Sequence, residues 1–261
     1  MRLVSLVCSN TEIVAALGMA SHLVGVDDHS DYPEEPLSAL PRLGPELDID
    51  VSGVQALRPD LVLASLSVPG HERVVKALEA AGLPLLVLDP TSLSDVLTDI
   101  RTVARALEVT AQGENVIREM EAGFNEVRAR GGDAVPQRDQ PSVLVEWWPK
   151  PVIAPGKLSW VQDLLEMAGA RNPLGEEEVR SRPMADEEVA PLAPDAFVVS
   201  WCGVHPSKYR PEIVANNPAW AHVPAVRNGQ IHCIPEAYLG RPGPRLVEGA
   251  RALRSVVASV R

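Results

Sequence analysis

Residues 54–65 read VQALRPDLVLAS, and residues 189–200 repeat this pattern as VAPLAPDAFVVS. The positions that are identical in register are, in pairs, Val54/Val189, Leu57/Leu192, Pro59/Pro194, Asp60/Asp195 and Ser65/Ser200. Each copy predicts the end of a helix, a Pro-Asp turn and a short apolar strand. A distant repeat of one helix–strand unit predicts two lobes built on the same plan. A cleft between two such lobes is a favoured place for a ligand.

Short apolar runs alternate with helical periodicity on both sides of each copy. In the first half, the predicted strands are residues 3–7, 23–26, 60–64 and 83–88. The predicted helices there are 51–57, 72–81 and one that ends at Gly18 and begins after the cap-type residues 9–12. In the second half, strands are predicted at 142–146, 196–200 and 230–234, and helices at 160–168, 187–192, 211–214 and 245–260. This alternation predicts parallel sheets that are covered by helices.

The middle of the chain has a different character. Residues 91–130 contain no proline, and their apolar side chains recur at spacings of three and four. Thr110 is a plausible cap between two helices, and residues 131–140 read as a linker. We expect a long helix that joins an N-terminal lobe (1–109) through residues 110–132 to a C-terminal lobe (133–261). Two ordinary packed helices are the alternative.

The composition excludes several classes of protein. The chain has 261 residues, of which 46% are hydrophobic, which is enough for one large or two modest cores. Its net charge of −11 and the lack of a Lys/Arg cluster argue against a nucleic-acid partner. No apolar run has the roughly 18–20 residues of a membrane span.

The start of the chain and the cysteines bear on its location. Met1 and Arg2 lead directly into the apolar residues 3–7, without the pattern of a signal peptide. On that basis we expect either a cytoplasmic protein or one whose leader was removed. Cys8, Cys202 and Cys233 are expected to be buried free thiols, and a single disulfide, the alternative, would favour an exported protein.

Aromatic residues follow the predicted strands, where ligands of open α/β sheets bind. The chain has only five tryptophans and three tyrosines. Tyr32 follows the second strand, Trp147 and Trp148 follow the strand at 142–146, and Trp201 follows the second copy of the repeat. Rigid aromatic walls suit a bulky, flat and partly apolar ligand.

Histidines also lie on these loops, but the sequence carries no signature of a metal site or of catalysis. His29, His71 and His205 lack the close spacing of a zinc site, so we expect no metal bound directly by the protein. The chain has no glycine-rich phosphate loop, no G-x-S-x-G and no H-E-x-x-H. We therefore expect no catalytic residues and no enzyme.

Short motifs in a fixed order cover nearly the whole chain. They are VSL at 4–6, SNTEI at 9–13, ALG at 16–18, LVGV at 23–26, DYP at 31–33, PDLVLA at 59–64, EWWP at 146–149, PG at 155–156, SRP at 181–183 and RPGPRL at 241–246. In this order they resemble the substrate-binding proteins of cobalamin and iron-siderophore ABC importers, which are class III periplasmic binding proteins.

The resemblance implies a fold and a function. The fold is α/β, with two Rossmann-like lobes, each a mainly parallel sheet flanked by helices, joined by one long helix. The implied function is to hold a small ligand between the lobes without catalysis. The family acts outside the cytoplasmic membrane, so the resemblance implies that location. We expect a monomer that delivers its ligand to an ABC importer permease.

Within this family the sequence is most similar to the cobalamin binders. The resemblance then implies cobalamin or a related corrinoid as ligand. The implied ligand-binding residues are Tyr32 and His71 in the first lobe, and Trp147, Trp148, Pro149, Trp201 and His205 in the second. The alternatives are an iron-siderophore or haem binder on the same scaffold, and a cytoplasmic corrinoid-handling protein without a transporter.

The family docks on its transporter through one glutamate in each lobe. Glu72 matches the glutamate of the first lobe, and the internal repeat makes Glu212 the candidate in the second. The alternative is that both are ordinary first-turn glutamates, which the helix dipole favours.

Overall fold

The computed structural model describes residues 1–129 and 136–260, apart from the side chain of Gln137. The chain divides into two compact units. Unit 1 contains Met1–Pro90 and Asp95–Glu119, and unit 2 contains Thr91–Ser94 and the chain from Met120 onwards. The predicted domain boundaries stay predictions. The second of them, and the first half of the predicted linker at 131–140, lie outside the described residues.

Unit 1 is built on a parallel sheet. Its strands are β1 (Leu3–Ser5), β2 (Leu23–Val26), β3 (Leu61–Ser65) and β4 (Leu85–Leu88). They lie in the order β2-β1-β3-β4, and every neighbouring pair is parallel. Its helices are α1 (Cys8–Ala16), α2 (Glu34–Leu37), α3 (Val51–Ala56), α4 (His71–Ala80) and most of α5 (Leu93–Ala106). The core packs Val4 and Val62 of the sheet against Val54 and Leu78 of the helices.

The predicted start of α1 was wrong. The helix begins at Cys8 with Val7 as its N-cap, so the predicted cap residues 9–12 lie inside the helix and are buried. The side chains of Asn10 and Thr11 bond to other elements instead. Asn10 Nδ2 donates to the backbone oxygen of Ala64 at 3.0 Å, and Thr11 Oγ1 lies 2.6 Å from Ser30 Oγ.

One long helix, α6 (Thr110–Ala129), begins in unit 1 and ends in unit 2. This confirms the predicted helical connection. At its start α6 packs closely on α5, because a Cβ added at Gly113 would lie 2.5 Å from the Cβ of Ala104. Among the described residues, no helix has the length and apolar character of a membrane span.

Unit 2 contains two sheets, and the sequence predicted only one of them. The strands are β5 (Val143–Glu146), β6 (Trp148–Pro149), β7 (Val152–Pro155), β8 (Ser181–Met184), β9 (Ala196–Val199) and β10 (Ile231–Cys233). The three predicted strands form the parallel sheet, in the order β10-β9-β5, and β6-β7-β8 form an antiparallel sheet. Prolines in all three antiparallel strands conceal their periodicity, because proline is rare inside sheets.

Among the helices of unit 2, α7 was predicted most accurately. They are α7 (Trp160–Ala168), α8 (Asp186–Val189), α9 (Glu212–Ala215), α10 (Pro224–Arg227), α11 (Glu236–Leu239) and α12 (Leu246–Val260). Both ends of α7 agree with the prediction at 160–168. Ser159 caps its start by accepting from the backbone nitrogen of Val161, and Gly169 ends it at φ 80°.

The two copies of the repeat have the same backbone geometry. A residue with left-handed φ precedes each Pro-Asp pair, Arg58 at 46° and Ala193 at 43°. This conformation turns the chain from the helical segment into the strand. The strands that follow, β3 and β9, occupy equivalent places, because each pairs in parallel with the first strand of its unit.

The aspartate of each copy closes a ring of two hydrogen bonds with the residue before that first strand. In unit 1, Asp60 donates its backbone N–H to the oxygen of Arg2 at 2.8 Å and accepts at Oδ2 from the nitrogen of Arg2 at 2.7 Å. In unit 2, Asp195 makes both bonds with Ser142, each 2.8 Å long. The ring fixes the register of two neighbouring strands.

The two rings differ in exposure, and this predicts different energetic costs. Asp195→Ala should lower the free energy of unfolding by about 1–3 kcal/mol, because it leaves the buried N–H of Ser142 without its acceptor. The matched variant Asp60→Ala, at an exposed site, should cost under about 1 kcal/mol. Urea denaturation of both variants measures the difference. An equal or larger loss for Asp60→Ala would contradict this account.

Candidate functional site

The carboxyl ends of β1 and β2 carry a buried polar network. Thr11 Oγ1, on α1, lies 2.8 Å from Ser5 Oγ and 2.6 Å from Ser30 Oγ. Ser30 Oγ in turn donates to the carboxylate of Asp27. Arg42 Nη1 donates to the backbone oxygens of Ser30 at 2.6 Å and Asp27 at 3.0 Å. These bonds hold the loop after β2 in place.

Asp27 is the charged group of this network. Burial raises the pKa of its carboxyl group, while hydrogen bonds from Ser30 Oγ and from the backbone N–H of His29 lower it. Tyr32, the aromatic residue that the sequence predicts in this unit, follows on the same loop. Its side chain is 49% exposed, so an aromatic face is available beside an anchored backbone.

His71, a predicted ligand residue, is buried and only 2% exposed. It is the first residue of α4, after the loop that follows β3. Its Nε2 lies 3.7 Å from a carboxylate oxygen of Glu46, and its Nδ1 accepts from the backbone N–H of Val68 at 3.4 Å. These contacts make His71 an anchor of the loop. Its role in ligand binding stays a prediction.

Glu72, the predicted docking residue, is exposed in the first turn of α4. Its Oε2 accepts from the backbone N–H of Gly70 at 2.9 Å. Gly70 is the N-cap and has a φ of 103°, a conformation that favours glycine. The carboxylate therefore both stabilises the start of the helix and remains at the surface.

In unit 2, the strand ends carry three of the four aromatic residues predicted to bind the ligand, in different environments. Trp147 is half-buried, with its ring 6.0 Å from that of Trp160, and its Nε1 is buried with no hydrogen-bond partner among the described residues. Trp148 lies on β6 and is 42% exposed. Pro149, which follows it, is half-buried. Trp148 thus offers the larger accessible face.

Trp201 has a different environment from the one expected for a ligand wall. It is 5% exposed and packs in the core of unit 2, with its ring 5.7 Å from the ring of Tyr209. Its Nε1 donates to Glu146 Oε1 at 3.0 Å. The predicted contact of Trp201 with the ligand remains a prediction, and the structure gives this side chain a structural role.

Glu146, which the sequence did not single out, is the buried charge at this end of the sheet. It is the last residue of β5 and its side chain is 0% exposed. Burial raises the pKa of its carboxyl group to about 7; the bond from Trp201 lowers it and the charge of Asp186 raises it. The available signal was a single acidic residue that ends the apolar run 142–146.

The other two predicted residues of unit 2 are exposed. His205 Nδ1 lies 2.8 Å from Ser207 Oγ and accepts from the backbone N–H of Ser207 at 3.3 Å, at the start of a short 3-10 turn. Glu212 is the first residue of α9. All three cysteines are free thiols, and Cys8 is buried as expected. The expectation of burial was wrong for Cys202 and Cys233, which are exposed. Within the described part of the chain, no three metal-ligating side chains form a cluster.

Unit 2 also has a surface cavity of about 650 Å³ at a different place. Its walls include Lys157, Gln162, Asp163 and Arg171 from the region around α7. None of the predicted ligand or docking residues lines it. It therefore does not coincide with the aromatic strand ends.

Comparison with known proteins gives a family match. The model of a family described as "Periplasmic binding protein" matches residues 3–238. The chain is 28% identical over 255 residues to the ABC transporter substrate-binding lipoprotein YvrC of Bacillus subtilis (strain 168), a match that covers 97% of this chain and 78% of YvrC.

Two further relatives have named ligands. The chain is 24% identical over 263 residues to the vitamin B12-binding protein of Yersinia pestis (strain Pestoides F), covering 99% of this chain and 87% of that protein. The structure of this chain is similar to that of the periplasmic haem-binding protein RhuT of Roseiflexus sp. RS-1 in apo form, with a TM-score of 0.83 and 28% identity. That match covers 99% of this chain and 98% of RhuT.

The raised pKa of Glu146 predicts how stability depends on pH. The folded protein holds this proton up to about pH 7, whereas the unfolded chain releases it near 4.5, so stability is lost as the pH rises between these values. Glu146→Gln cannot titrate. Relative to this variant, the wild type should lose about 3 kcal/mol of unfolding free energy between pH 4.5 and pH 8.

Urea denaturation at several pH values between 4.5 and 8 tests this expectation. Glu79→Gln, an exposed glutamate on α4, is the matched control and should leave the pH dependence unchanged. Parallel pH profiles for the wild type and Glu146→Gln would contradict it.

Proposed function

The chain belongs to the periplasmic binding protein family, and on this premise we propose that it binds cobalamin or a related corrinoid for delivery to an ABC importer. The family and its solved relatives are solute-binding proteins, so the chain is a substrate-binding protein and not an enzyme. Both statements agree with the sequence-based expectation. We propose the identity of the ligand, its contacts and a site of action outside the cytoplasmic membrane.

The observation that carries the proposal is the position of two exposed aromatic side chains. Tyr32 follows the carboxyl end of β2, and Trp148 follows that of β5. Each leaves more than 40% of its surface exposed, so its ring is accessible for stacking on a flat ligand. A corrin ring is large, flat and partly apolar, and it suits such faces.

The remaining predicted residues have different proposed roles. Half-buried Trp147 and Pro149 extend the face that Trp148 offers, and exposed His205 adds a polar contact. Buried His71 and Trp201 hold the loops that carry the contacts. The 24% identity with the vitamin B12-binding protein over 99% of this chain supports a corrinoid.

Haem is the second candidate, with an iron-siderophore complex as a further one. The exposed hydroxyl-bearing ring of Tyr32 favours haem, because tyrosine is one of the residues that ligate haem iron, and RhuT is 28% identical to this chain. An anionic siderophore calls for several cations. Few occur on the loops in question, namely Lys150, Lys208 and Arg210.

Trp148→Ala should weaken binding of cyanocobalamin by about tenfold, because it removes one stacking face. Equilibrium dialysis, read by the visible absorbance of the corrin, measures the affinity without relying on tryptophan fluorescence. Leu158→Ala is the control, since Leu158 is similarly exposed, at 39%, in the same unit. Haemin and a ferric hydroxamate are titrated in parallel. Tighter binding of either one, or no binding of cyanocobalamin at micromolar protein, would refute the corrinoid proposal.

The docking role of Glu72 and Glu212 gives a separate prediction. Glu72→Arg or Glu212→Arg should reduce uptake of labelled cyanocobalamin by cells at least about tenfold, because each replaces an anion of the proposed docking surface with a cation. The affinity of the purified protein for cyanocobalamin should not change. Glu79→Arg, on the same helix as Glu72, is the control. Normal uptake by both variants would assign these residues to helix capping alone.

A further inference from the structure

A chain of contacts links the loops that follow all three parallel strands of unit 2. It starts at Glu146, the last residue of β5, which accepts the indole N–H of Trp201 at 3.0 Å. The hydroxyl of Tyr209 donates to the backbone oxygen of Trp201 at 3.4 Å. The same hydroxyl accepts from the backbone N–H of Glu236, after β10, at 2.9 Å. Glu236 then pairs with Arg241 at 3.1 Å. One buried carboxylate thus begins a connection across the whole sheet end.

Glu146 is held by few groups. Its Oε1 is satisfied by Trp201, but Oε2 is buried and has no hydrogen-bond partner among the described residues. Asp186, on α8, is a second acidic side chain, and its negative charge raises the pKa of Glu146. From the loop after β9 it faces the neutral indole of Trp201. Neither neighbour favours the ionised carboxylate by its charge, so the carboxyl group is able to change protonation near neutral pH.

We propose that Glu146 is a proton-sensitive positioning residue that controls how firmly Trp201 and the loop of residues 201–209 are held. Burial raises the pKa of the Glu146 carboxyl group in the ordered loop, so the ordered state binds the proton more tightly than a loosened and hydrated one. Protonated Glu146 therefore keeps the loop ordered, and ionised Glu146, whose buried Oε2 has no hydrogen-bond partner among the described residues, loosens it. Only the effect on ligand affinity rests on the proposed function. A loop ordered in advance binds more tightly, so the affinity for a corrinoid decreases by several-fold from pH 6 to pH 8.

The first experiment needs no ligand. In the ¹⁵N-labelled protein, the indole N–H resonance of Trp201, assigned by its loss in Trp201→Phe, should shift with pH with a midpoint near 7. The indole of Trp160 is an internal control, because it donates to the backbone oxygen of Leu239 at 2.7 Å and not to a carboxylate. In Glu146→Gln, the Trp201 resonance should no longer titrate. A Trp201 resonance that is unchanged by pH in the wild type overturns the proposal.

Asp186→Asn provides a second variant. Removing this like charge should move the midpoint of the Trp201 titration to lower pH, because the ionised form of Glu146 becomes less unfavourable. An unchanged midpoint in a folded variant counts against the proposal.

The second experiment measures the affinity for cyanocobalamin, whose own groups near the corrin do not titrate between pH 6 and pH 8. The wild type should bind several-fold more tightly at pH 6 than at pH 8, and Glu146→Gln should show the same affinity at both. A titrating Trp201 with a pH-independent affinity in the wild type overturns the positioning role. If no ligand binds but Trp201 still titrates, the proposed function is wrong while the control of the loop by Glu146 is supported.

Discussion

The parallel sheets of both units depend on one interaction, the ring of two hydrogen bonds between an aspartate and the residue that precedes the first strand of its unit. Asp60 makes it with Arg2, and Asp195 makes it with Ser142. Because a strand has a period of two residues, a slip of one position would exchange its buried and exposed faces. By fixing the register, the ring determines which side chains reach the carboxyl end of each sheet, where the ligand residues are expected.

From the same scaffold, the two units build different strand ends. In unit 1, small hydroxyl groups and the carboxylate of Asp27 form a compact network, and the exposed aromatic ring is that of Tyr32. In unit 2, the indole of Trp201 bonds to the buried carboxylate of Glu146, and Trp148 is exposed. The first arrangement is linked by several hydrogen bonds. In the second, Glu146 Oε2 is buried without a hydrogen-bond partner in the described part of the chain, which makes it sensitive to protonation.

Local sequence signals predicted an element accurately where a capping residue marks each of its two ends. Helix α7 has a serine cap and a terminal glycine, and both of its ends agree with the prediction. The start of α1 was predicted wrongly, because its polar residues satisfy their hydrogen bonds with distant elements such as the end of β3. The antiparallel sheet was not predicted. Its short strands contain prolines, and their pairing depends on partners up to some thirty residues away, such as Val152 and Met184.

The sequence by itself determined the repeat, the order of most strands and helices, and the aromatic residues at the strand ends, because these follow from local periodicity, turn chemistry and composition. Only the tertiary structure decided which of those aromatic residues are accessible. Trp148 and Trp201 both follow parallel strands, yet the first is exposed and the second lies in the core beside Glu146. The reason is physical. Burial depends on groups that approach from elsewhere in the chain, and Glu146 and Trp201 are separated by 55 positions.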